Sequence, residues 1–410
     1  MKTRKKRVLL IIPNLDFGGA QNSFARLSEI LSPFCDLTLV VFNKDNMAPL
    51  KLHGQLIGLD VPASNSYVAK IMNFFRRIVR LRRIKRTFKP DFSISFLEGA
   101  DYVNVLSSSG ERILLYMHGS KSFDRNIRGF IGWIRKKILV PFFYSYAHQI
   151  LVVNDRLRIE LIEHFKLKRI AYRVMPNFYD VDWLTAMAGE SVSPFLEQVF
   201  SNHPTVCISG RIAPEKGIDR FVRVLPAILK EVPDLRILIV GDGADKALVI
   251  QQCDAAGISF VDLTGDESSV DNATIIFTGY QKNPYRFLGR STMLLLPSLN
   301  EGMPNTVVEA MCLAVPVIAA DCPYGPRELL SEKSVKDDRV WPEFSAYGIL
   351  APVLHGENDE KLYWTEAITK IVRDPEVRSH YAKAGKKRSV IFSKEDNIRL
   401  WRELLGADGQ

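Results

Sequence analysis

Residues 299–316 read LNEGMPNTVVEAMCLAVP and mark the passage from a buried strand into a helix. The run 293–297 before them is short and apolar, as expected of a parallel strand. In contrast, 304–314 carries apolar residues at helical spacing, and Pro316 ends it. The stretch therefore predicts a strand, a loop and a helix in succession, which is the repeating unit of an α/β fold.

The start of the predicted helix suits an anion. Pro304 fits a first-turn position because its missing N–H is not needed there. The amides left pointing outward are then those of Asn305, Thr306 and Val307. Such a helix start attracts phosphate, whereas Glu301 on the loop repels phosphate and suits hydroxyl groups better. With Glu309 inside the helix, the passage fits a nucleotide sugar; two solvated surface carboxylates are the alternative.

A second phosphate-binding design lies upstream. The apolar strand 205–209 is followed by the loop GRIAPEKG at 210–217 and by a helical pattern over 218–229. In this loop Arg211 offers a planar fork and Lys216 a mobile point charge, a suitable pair for a diphosphate. The alternative is two solvated loop cations.

Further strands follow the same rule. The stretch LRILIVGDG at 235–243 runs into a glycine turn, and IIFTGY at 275–280 ends in Gly279 and Tyr280. Strands and helices therefore alternate over 205–320, which predicts a parallel sheet that binds ligands at the carboxyl ends of its strands.

These ordered motifs resemble the nucleotide-binding domain of the retaining glycosyltransferases of the GT-B fold, family four. The family's carboxylate motif, E-x7-E, is matched by Glu301 and Glu309, and its phosphate loop by GRIAPEKGID at 210–219. The resemblance implies that Glu301 contacts hydroxyls of the donor sugar and that Glu309 holds the ribose. It assigns the diphosphate to Arg211 and Lys216. The other donor-binding residues that it implies are Gly210, Gly279, Tyr280, Met303, Pro304, Asn305 and Thr306.

The amino-terminal part supplies another glycine loop. The apolar strand 7–12 is followed by Gly18 and Gly19 ahead of a helix predicted over 22–31. Glycine at a helix start lets the backbone approach a phosphate or an acceptor closely, although a plain turn also needs glycine. The apolar run is too short for a signal peptide.

Two polar residues follow later strands of this part. His118 comes after the apolar strand in RILLYMHGS at 112–120. In the family a histidine after the matching strand reaches the donor sugar, and similarity gives His118 that role. A hydrogen-bonded loop residue is the alternative. Glu98, in the stretch 89–99, is either an acceptor-side carboxylate or a surface acid.

The 410 residues, 47% of them hydrophobic, suffice for two α/β domains with separate cores. The family resemblance implies the GT-B fold, with two Rossmann-like domains facing across a cleft and a C-terminal helix that crosses back to the first domain. We predict an acceptor-binding domain of 1–185 together with about 390–410, and a nucleotide-sugar domain of 200–385. The boundary lies in 180–204, where the periodicity breaks. The five cysteines show no C-x-x-C spacing and are expected to be reduced, mostly buried thiols of a cytosolic protein.

The charge is unevenly distributed. Residues 1–185 hold 30 Lys and Arg against 15 Asp and Glu, a balance of +15, whereas the rest of the chain has a balance of −6. The stretch 70–89 alone has nine basic residues and no acidic one. If this stretch is a helix, one of its faces is apolar and consists of Ile71, Phe74, Phe75, Ile78 and Leu81. A second face carries Arg76, Arg80 and Arg83.

A basic amphipathic helix of this kind is typical of anionic membrane surfaces, and in relatives a basic helix faces the diphosphate of a polyprenyl carrier. The stretch 128–146 is a second candidate, for which a core helix with a solvated basic edge fits equally well. Nucleic acid is not expected as a partner, because no nucleic-acid-binding motif accompanies the charge. No apolar run is long enough to span a membrane.

Together with these features, the family resemblance implies a retaining transferase of the kind that bacteria use for polysaccharide, lipopolysaccharide or other glycan synthesis. A hexose or N-acetylhexosamine moves from a UDP-sugar to a lipid-linked glycan at the inner face of the cell membrane, where the protein is peripherally attached. The predicted catalytic residues are Glu301, Lys216, Arg211 and His118. The donor is a substrate, and no cofactor or metal is expected. A soluble-acceptor transferase, a UDP-sugar epimerase of the same fold and a non-enzymatic membrane scaffold are the alternatives.

Overall fold

The computed structural model describes residues 4–16, 18–45, 47–62, 66–122, 129–264, 273–332, 340–356 and 360–407. The chain forms two compact α/β units. The first comprises Met1–Asn177 and Lys394–Gln410, and the second comprises Phe178–Ser393. The division after Asn177 falls just ahead of the interval 180–204 in which we predicted it, because the helix Val181–Ala188 packs against helices of the second unit.

The sheet of the first unit is parallel throughout. Within the described residues its strands are β1 (Lys6–Ile12), β2 (Cys35–Val41), β3 (Gln55–Gly58), β4 (Phe92–Phe96), β5 (Arg112–Met117), β6 (Gln149–Val152) and β7 (Ala171–Val174). Their order is β3-β2-β1-β4-β5-β6-β7. Most of these strands are continuous apolar runs, because a parallel sheet is covered by helices on both faces.

The helices of the first unit are α1 (Gly19–Leu31), α2 (Tyr67–Phe88), α3 (Glu98–Leu106), α4 (Gly129–Ile134), α5 (Val140–Tyr144), α6 (Asp155–Glu163) and, from the end of the chain, α16 (Lys394–Leu405). The C-terminal helix returns to this unit as predicted. Asn397 donates to the carbonyl of Pro176 at 2.7 Å, and the Trp401 ring lies 5.8 Å from that of Tyr116. Trp401 is fully buried, so α16 completes the core of the first unit.

The stretch predicted as one helix at 128–146 is interrupted. Between α4 and α5 the backbone forms a π-helical segment, Arg135–Leu139. Pro141, just beyond it, has no N–H to donate into the helical ladder. The π-helical segment adds a residue to the turn, and such segments occur frequently at functional sites.

The second unit has its own sheet, whose described strands are β8 (Thr205–Ser209), β9 (Arg236–Val240), β10 (Phe260–Asp262), β11 (Ile275–Gly279), β12 (Met293–Leu296), β13 (Val317–Ala320), β14 (Glu343–Phe344) and β15 (Ile349–Ala351). The order is β10-β11-β9-β8-β12-β13-β15-β14, parallel except for the antiparallel pair β14 and β15. The alternation predicted over 205–320 is therefore confirmed.

The helices of the second unit are α7 (Val181–Ala188), α8 (Pro194–Asn202), α9 (Ile218–Glu231), α10 (Lys246–Ala256), α11 (Tyr285–Leu288), α12 (Asn305–Cys312), α13 (Pro326–Leu330), α14 (Glu360–Arg373) and α15 (Pro375–Ser389). Short 3₁₀ turns cover Pro214–Lys216 and Val390–Phe392. The core forms where α9 and α14 pack together over the sheet, with the rings of Phe221 and Trp364 6.0 Å apart.

Two predictions about the whole chain can be compared with the structure. All five cysteines are buried and none forms a disulfide. Among the described residues no helix is both long enough and apolar enough to cross a membrane.

Candidate active site

Five neighbouring strands of the second unit direct their loops to one edge of its sheet. β11, β9, β8, β12 and β13 are consecutive in the sheet and parallel, so their carboxyl ends lie side by side. The loops that follow them contain the motifs singled out in the sequence. The topology therefore assembles the predicted donor site on one unit, at the edge where parallel sheets bind ligands.

The loop 210–217, predicted to bind phosphate, contacts the loop that carries Glu301. Lys216 Nζ lies 2.7 Å from Glu301 Oε1, and Ser298 Oγ donates to the same oxygen at 2.6 Å. The backbone N–H of Leu299 donates to the Glu215 carbonyl at 2.8 Å. The Glu301 side chain is 9% exposed, so its charge is balanced by Lys216 at the edge of the protein interior. Ser298 was not singled out in the sequence.

Two glycines fix the position of the Glu301 loop. Gly217 has φ +64°, and a Cβ there would lie 2.3 Å from the Pro297 carbonyl oxygen. Gly325 has φ +89°, and its Cβ would lie 2.5 Å from the Gly302 carbonyl oxygen. Any side chain at either position would push a neighbouring backbone away, so the Glu301 loop is held from both sides by contacts that only glycine permits.

The glycine turn after β9 supports the phosphate loop from beneath. The N–H of Gly210 donates to the Val240 carbonyl at 3.0 Å, and that of Ile212 donates to the Asp242 carbonyl at 2.9 Å. Arg211 itself points outward and pairs with Glu215 at 2.9 Å. The Arg211 side chain is 63% exposed, which leaves it accessible to an anion at the surface.

The start of α12 differs by one residue from the prediction. Pro304 precedes the helix in an extended conformation, and the first helical residue is Asn305. The N–H of Val307 donates to the Pro304 carbonyl at 3.1 Å, so this amide does not point outward as predicted. The side chain of Asn305 accepts a hydrogen bond from Tyr179 at 2.6 Å. Of the other predicted donor-binding residues here, Met303 is buried and Thr306 is partly exposed.

Glu309 lies inside α12 as predicted and is buried. The hydroxyl of Tyr285 donates to Glu309 Oε1 at 3.2 Å. A buried carboxylate needs several such donors, and a ligand hydroxyl is a suitable one. Tyr285 was not singled out in the sequence, because no motif or spacing relates it to Glu309, which is 24 positions away.

The turn after β11 combines a constrained glycine with an exposed aromatic ring. Gly279 has φ +66°, and its Cβ would meet the side chain of Thr264 at 2.3 Å. Tyr280, the next residue, is 53% exposed. Its placement at the sheet edge agrees with the predicted position beside a nucleotide base, and that role stays a prediction.

Arg327 organises the loop after β13. Its guanidinium lies 2.7 Å from Asp321 Oδ2 and 2.8 Å from Glu343 Oε2, and Arg327 is almost fully buried. Burial raises the pKa of Glu343, but the hydrogen bonds from Arg327, Ser345 and Ser331, together with the positive charge of Arg327, lower that pKa overall. Arg327 therefore joins the loop after β13 to the short antiparallel strand β14.

In the first unit His118 follows β5 at the carboxyl edge, as predicted. Its ring stacks on Phe96 with the centroids 5.0 Å apart. Both ring nitrogens are buried, and neither has a hydrogen-bond partner among the described residues. Burial, with a smaller contribution from Lys121, lowers the pKa of His118 to about 3. The imidazole is therefore neutral near pH 7 and presents one donor and one acceptor.

Glu98 begins α3 beside His118's strand and is not a surface acid. Arg135 of the π-helical segment binds it through both carboxylate oxygens, with Nη2 2.7 Å from Oε2, and Lys121 Nζ lies 3.6 Å away. Burial raises the pKa of Glu98, but Arg135 and Lys121 lower it overall. The residue before it, Leu97, has φ +69°, a strained conformation of the kind often found near functional sites.

The first glycine loop takes a simple form. Gly18 is extended and Gly19 is the first residue of α1, which starts three residues ahead of the predicted helix. Gln21 Nε2 donates to Asn14 Oδ1 at 3.0 Å across the loop. A contact of this loop with phosphate or acceptor stays a prediction.

The apolar face predicted for α2 was wrong in part. Leu81 is buried in the core of the first unit, and Phe74 and Ile78 pack against that core. Ile71 and Phe75 instead point outward and are each 60% exposed. The five residues assigned to one face therefore divide between two, because apolar side chains surround most of the first half of the helix.

The predicted arginine row is only partly open to a ligand. Arg76, Arg80 and Arg83 are all exposed, but Arg80 donates to the Asp60 carbonyl at 2.9 Å and to that of Leu59. Arg80 thus caps the loop after β3, whereas Arg83 near the end of α2 stays on the outer surface.

Comparisons with known proteins agree with this description. Residues 203–346 match the family described as glycosyl transferases group 1. The chain is 26% identical to an uncharacterized glycosyltransferase of Methanocaldococcus jannaschii, over 80% of this chain and 82% of the relative. A Campylobacter jejuni relative, named N-acetylgalactosamine-N,N'-diacetylbacillosaminyl-diphospho-undecaprenol 4-alpha-N-acetylgalactosaminyltransferase, is 20% identical over 97% of both chains. The crystal structure of Anabaena HepE with UDP and glucose superposes with a TM-score of 0.72, at 14% identity, over 98% of this chain and all of HepE. The predicted GT-B fold and the family resemblance are thereby confirmed.

Proposed function

We propose that this chain, a glycosyltransferase with a group 1 domain at 203–346, moves a hexose or N-acetylhexosamine from a UDP-sugar to a lipid-linked glycan with retention at the anomeric carbon. The observation that carries the proposal is the contact between Lys216 and Glu301, where the phosphate loop meets the carboxylate loop. HepE, which was solved with UDP and glucose, shares the fold. The name of the Campylobacter jejuni relative describes a diphospho-undecaprenol-linked acceptor. We place the reaction in polysaccharide, lipopolysaccharide or other glycan synthesis.

The paired side chains offer complementary chemistry to such a donor. A nucleotide sugar has an anionic diphosphate next to a ring of neutral hydroxyls. Lys216 exchanges the Glu301 carboxylate for a diphosphate oxygen, and Glu301 then accepts hydrogen bonds from the sugar hydroxyls. Glu309, one helical turn or two further on, receives the ribose hydroxyls together with the Tyr285 hydroxyl.

Catalysis in this proposal is mainly electrostatic. The bond from the anomeric carbon to the diphosphate breaks while the acceptor oxygen bonds to the same face, and the departing diphosphate takes the acceptor's proton. Lys216 and Arg211 stabilise the negative charge that grows on the leaving group, so the reaction needs no metal. His118, which is neutral and has both ring nitrogens buried, supplies a hydrogen bond to a sugar hydroxyl.

The acceptor side belongs to the first unit, whose sequence is strongly basic. We propose that the protein works at the inner face of the cell membrane, to which it is peripherally attached. Arg76 and Arg83 on the outer surface of α2, with Arg80 beside them, face the phosphates of a lipid carrier. We expect no nucleic-acid partner.

The proposal is tested by incubating the purified protein with radiolabelled UDP-sugars and a native membrane lipid extract. We expect label from one UDP-sugar to enter the organic phase, and the Lys216→Met variant to give almost none. The anomeric configuration of the product, read from its NMR coupling constant, should match that of the donor. The incubation includes a chelator in a parallel sample, where transfer should continue.

Other outcomes identify the rival functions. An isomerised UDP-sugar formed without lipid would indicate an epimerase, and label in a water-soluble glycan alone would indicate a soluble acceptor. Inversion at the anomeric carbon, or loss of transfer with the chelator, would contradict the proposed mechanism. No turnover of any donor by a folded protein would favour a scaffold.

A further inference from the structure

Helix α2 exposes an apolar stripe that the core does not use. Its members are Val68, Ile71, Met72, Phe75 and Val79, with exposed fractions between 47% and 68%. They recur at spacings of three and four, so they lie along one side of the first half of the helix. Further along that side the exposed residues become basic, namely Arg82, Arg83 and Arg86. The helix is thus apolar at its start and cationic at its end.

A second stripe lies on the segment that contains α4, the π-helical residues and α5. Its members are Trp133, Ile138, Phe142 and Tyr146, with exposed fractions between 50% and 59%. Trp133 and Ile138 are five residues apart, while the later steps are four. Because the π-helical turn takes up one extra residue, all four stay on one side. Lys137 is exposed beside them, and the segment 129–146 contains no acidic residue.

The two stripes belong to one surface of the first unit. Both α2 and α5 pack against α3, so they flank it on the same face of the sheet. The Tyr102 ring of α3 lies 5.0 Å from Phe143, and Phe142 lies 5.2 Å from both Phe143 and Tyr146. Leu106, at the end of α3, is 39% exposed. The two apolar stripes therefore lie on segments that flank α3, and exposed arginines and lysines lie beside them.

Both helical segments start at the carboxyl edge of the sheet. α2 follows β3 and α4 follows β5, so the apolar half of α2 and Trp133 lie nearest the edge that carries His118. A surface with this orientation holds the catalytic edge of the first unit close to whatever it binds.

We propose that this two-helix surface inserts its apolar side chains into an anionic phospholipid bilayer. Exposed apolar stripes of this extent are uncommon on proteins that stay in water. Tryptophan and tyrosine favour the region between lipid headgroups and acyl chains, and flanking arginines and lysines favour anionic headgroups. The inference rests on the proposed function, because a lipid-linked acceptor gives the membrane-bound position its use. It differs from attachment by the arginine row in that insertion, not charge, supplies most of the binding.

Vesicle flotation tests the inference without donor or acceptor. Full-length protein is mixed with phosphatidylcholine vesicles containing phosphatidylglycerol, at about 0.1 M and about 1 M NaCl, where screening shortens the Debye length from roughly 10 Å to 3 Å. We expect wild-type protein to float in both. The Phe75→Gln/Phe142→Gln variant should lose about tenfold or more in vesicle partitioning at either salt concentration. The Arg82→Gln/Arg86→Gln variant should weaken binding mainly at low salt.

Controls separate lost insertion from lost structure. Leu362→Gln changes a leucine of the second unit that is 58% exposed, close to the exposure of Phe75, and should float like wild type. Circular dichroism and melting temperature should be unchanged in all variants. Turnover on a detergent-solubilised acceptor should survive Phe75→Gln/Phe142→Gln.

The inference is overturned if wild-type protein stays with the soluble fraction, or if the double glutamine variant floats as wild type does. It is also overturned if the stripes join two copies of the chain, seen as a dimer by light scattering that the variant abolishes while vesicles bind neither protein. Vesicle binding without sugar transfer would instead contradict the proposed function and leave the inference standing.

Discussion

The carboxyl edges of the two sheets carry opposite kinds of chemistry. In the second unit the predicted catalytic groups are charged and already bound to each other, with Lys216 2.7 Å from Glu301. In the first unit His118 is neutral, and its buried nitrogens have no partner among the described residues. A ligand at the second unit must exchange one ionic contact for others, whereas a ligand at His118 adds hydrogen bonds where there were none. The charged edge suits the part of a reaction in which charge develops, and the neutral edge suits the positioning of hydroxyl groups.

The largest effect should come from Lys216, because the proposed mechanism has Lys216 stabilise the negative charge that grows on the leaving diphosphate. We expect Lys216→Met to lower kcat about 10²- to 10³-fold, the loss typical of one transition-state donor. Steady-state kinetics with saturating UDP-sugar measure it. Lys230→Met, at an exposed lysine of the same unit, serves as the control. A Lys216→Met enzyme within about twofold of wild type would remove the charged edge from the mechanism.

His118 should show a smaller effect. Phenylalanine keeps the stacking on Phe96 but removes both ring nitrogens, so His118→Phe should lower kcat/KM about 10- to 100-fold, as expected for one or two lost hydrogen bonds. His380→Phe, at an exposed histidine of the second unit, should leave kcat/KM unchanged. Equal rates for His118→Phe and wild type would mean that the orphaned nitrogens bind nothing in the reaction.

Glu309 tests whether donor binding and charge stabilisation are separate roles at the carboxyl edge of the second unit. We assign Glu309 to binding of the donor and Lys216 to stabilisation of charge. Glu309→Gln should raise the KM for UDP-sugar about tenfold and change kcat little, because ribose contacts are equal in the ground and transition states. Tyr285→Phe, which removes one hydrogen bond of 3.2 Å to Glu309, should change KM less. A fall in kcat as large as that of Lys216→Met would show that the two roles are not separate.

The smallest effect concerns stability. The folded pKa of His118 is lowered from 6.5 to about 3, so between these values the unfolded chain binds a proton that the folded protein does not. Stability from this residue is present above pH 6.5 and falls as the pH drops. Relative to His118→Phe, wild-type protein should lose about 1 kcal/mol of unfolding free energy from about pH 6.5 to about pH 5.5. The urea unfolding midpoints of the two proteins at both pH values measure it. If the midpoint changes with pH by the same amount in both proteins, a buried neutral imidazole at His118 is contradicted.

Elements of the fold that leave a local pattern could be predicted from the sequence. Strand 205–209 was predicted with the bounds of β8, and the helix predicted over 218–229 begins where α9 begins, because a short apolar run and a helical period are local signals. The period of α2 also predicted a helix. It could not tell which apolar side chains face the core, because Ile71 and Phe75 are as apolar as Phe74 and Ile78.

The site was predicted as separate motifs, and their contacts were not. Glu301 and Lys216 were assigned to sugar and diphosphate, but 85 positions separate them and no spacing rule gives the distance between two loops. The Arg327 cluster depends on β14, a two-residue strand that is too short to leave a pattern. Nor does sequence reveal that both nitrogens of His118 are buried without partners, since that depends on how Phe96 and Tyr116 pack around the ring.

The return of α16 to the first unit gives the chain a nested organisation. In chain order, the second unit (178–393) interrupts the first. The core of the first unit is complete only when Trp401 and Asn397 of α16 pack into it. Residues 4–177 made alone would therefore expose the surface that α16 covers and should fold poorly, whereas an exchange of 178–393 leaves every segment of the first unit in place. We expect that exchange of 178–393 between relatives replaces the unit proposed to bind the donor and leaves the proposed acceptor-side unit intact.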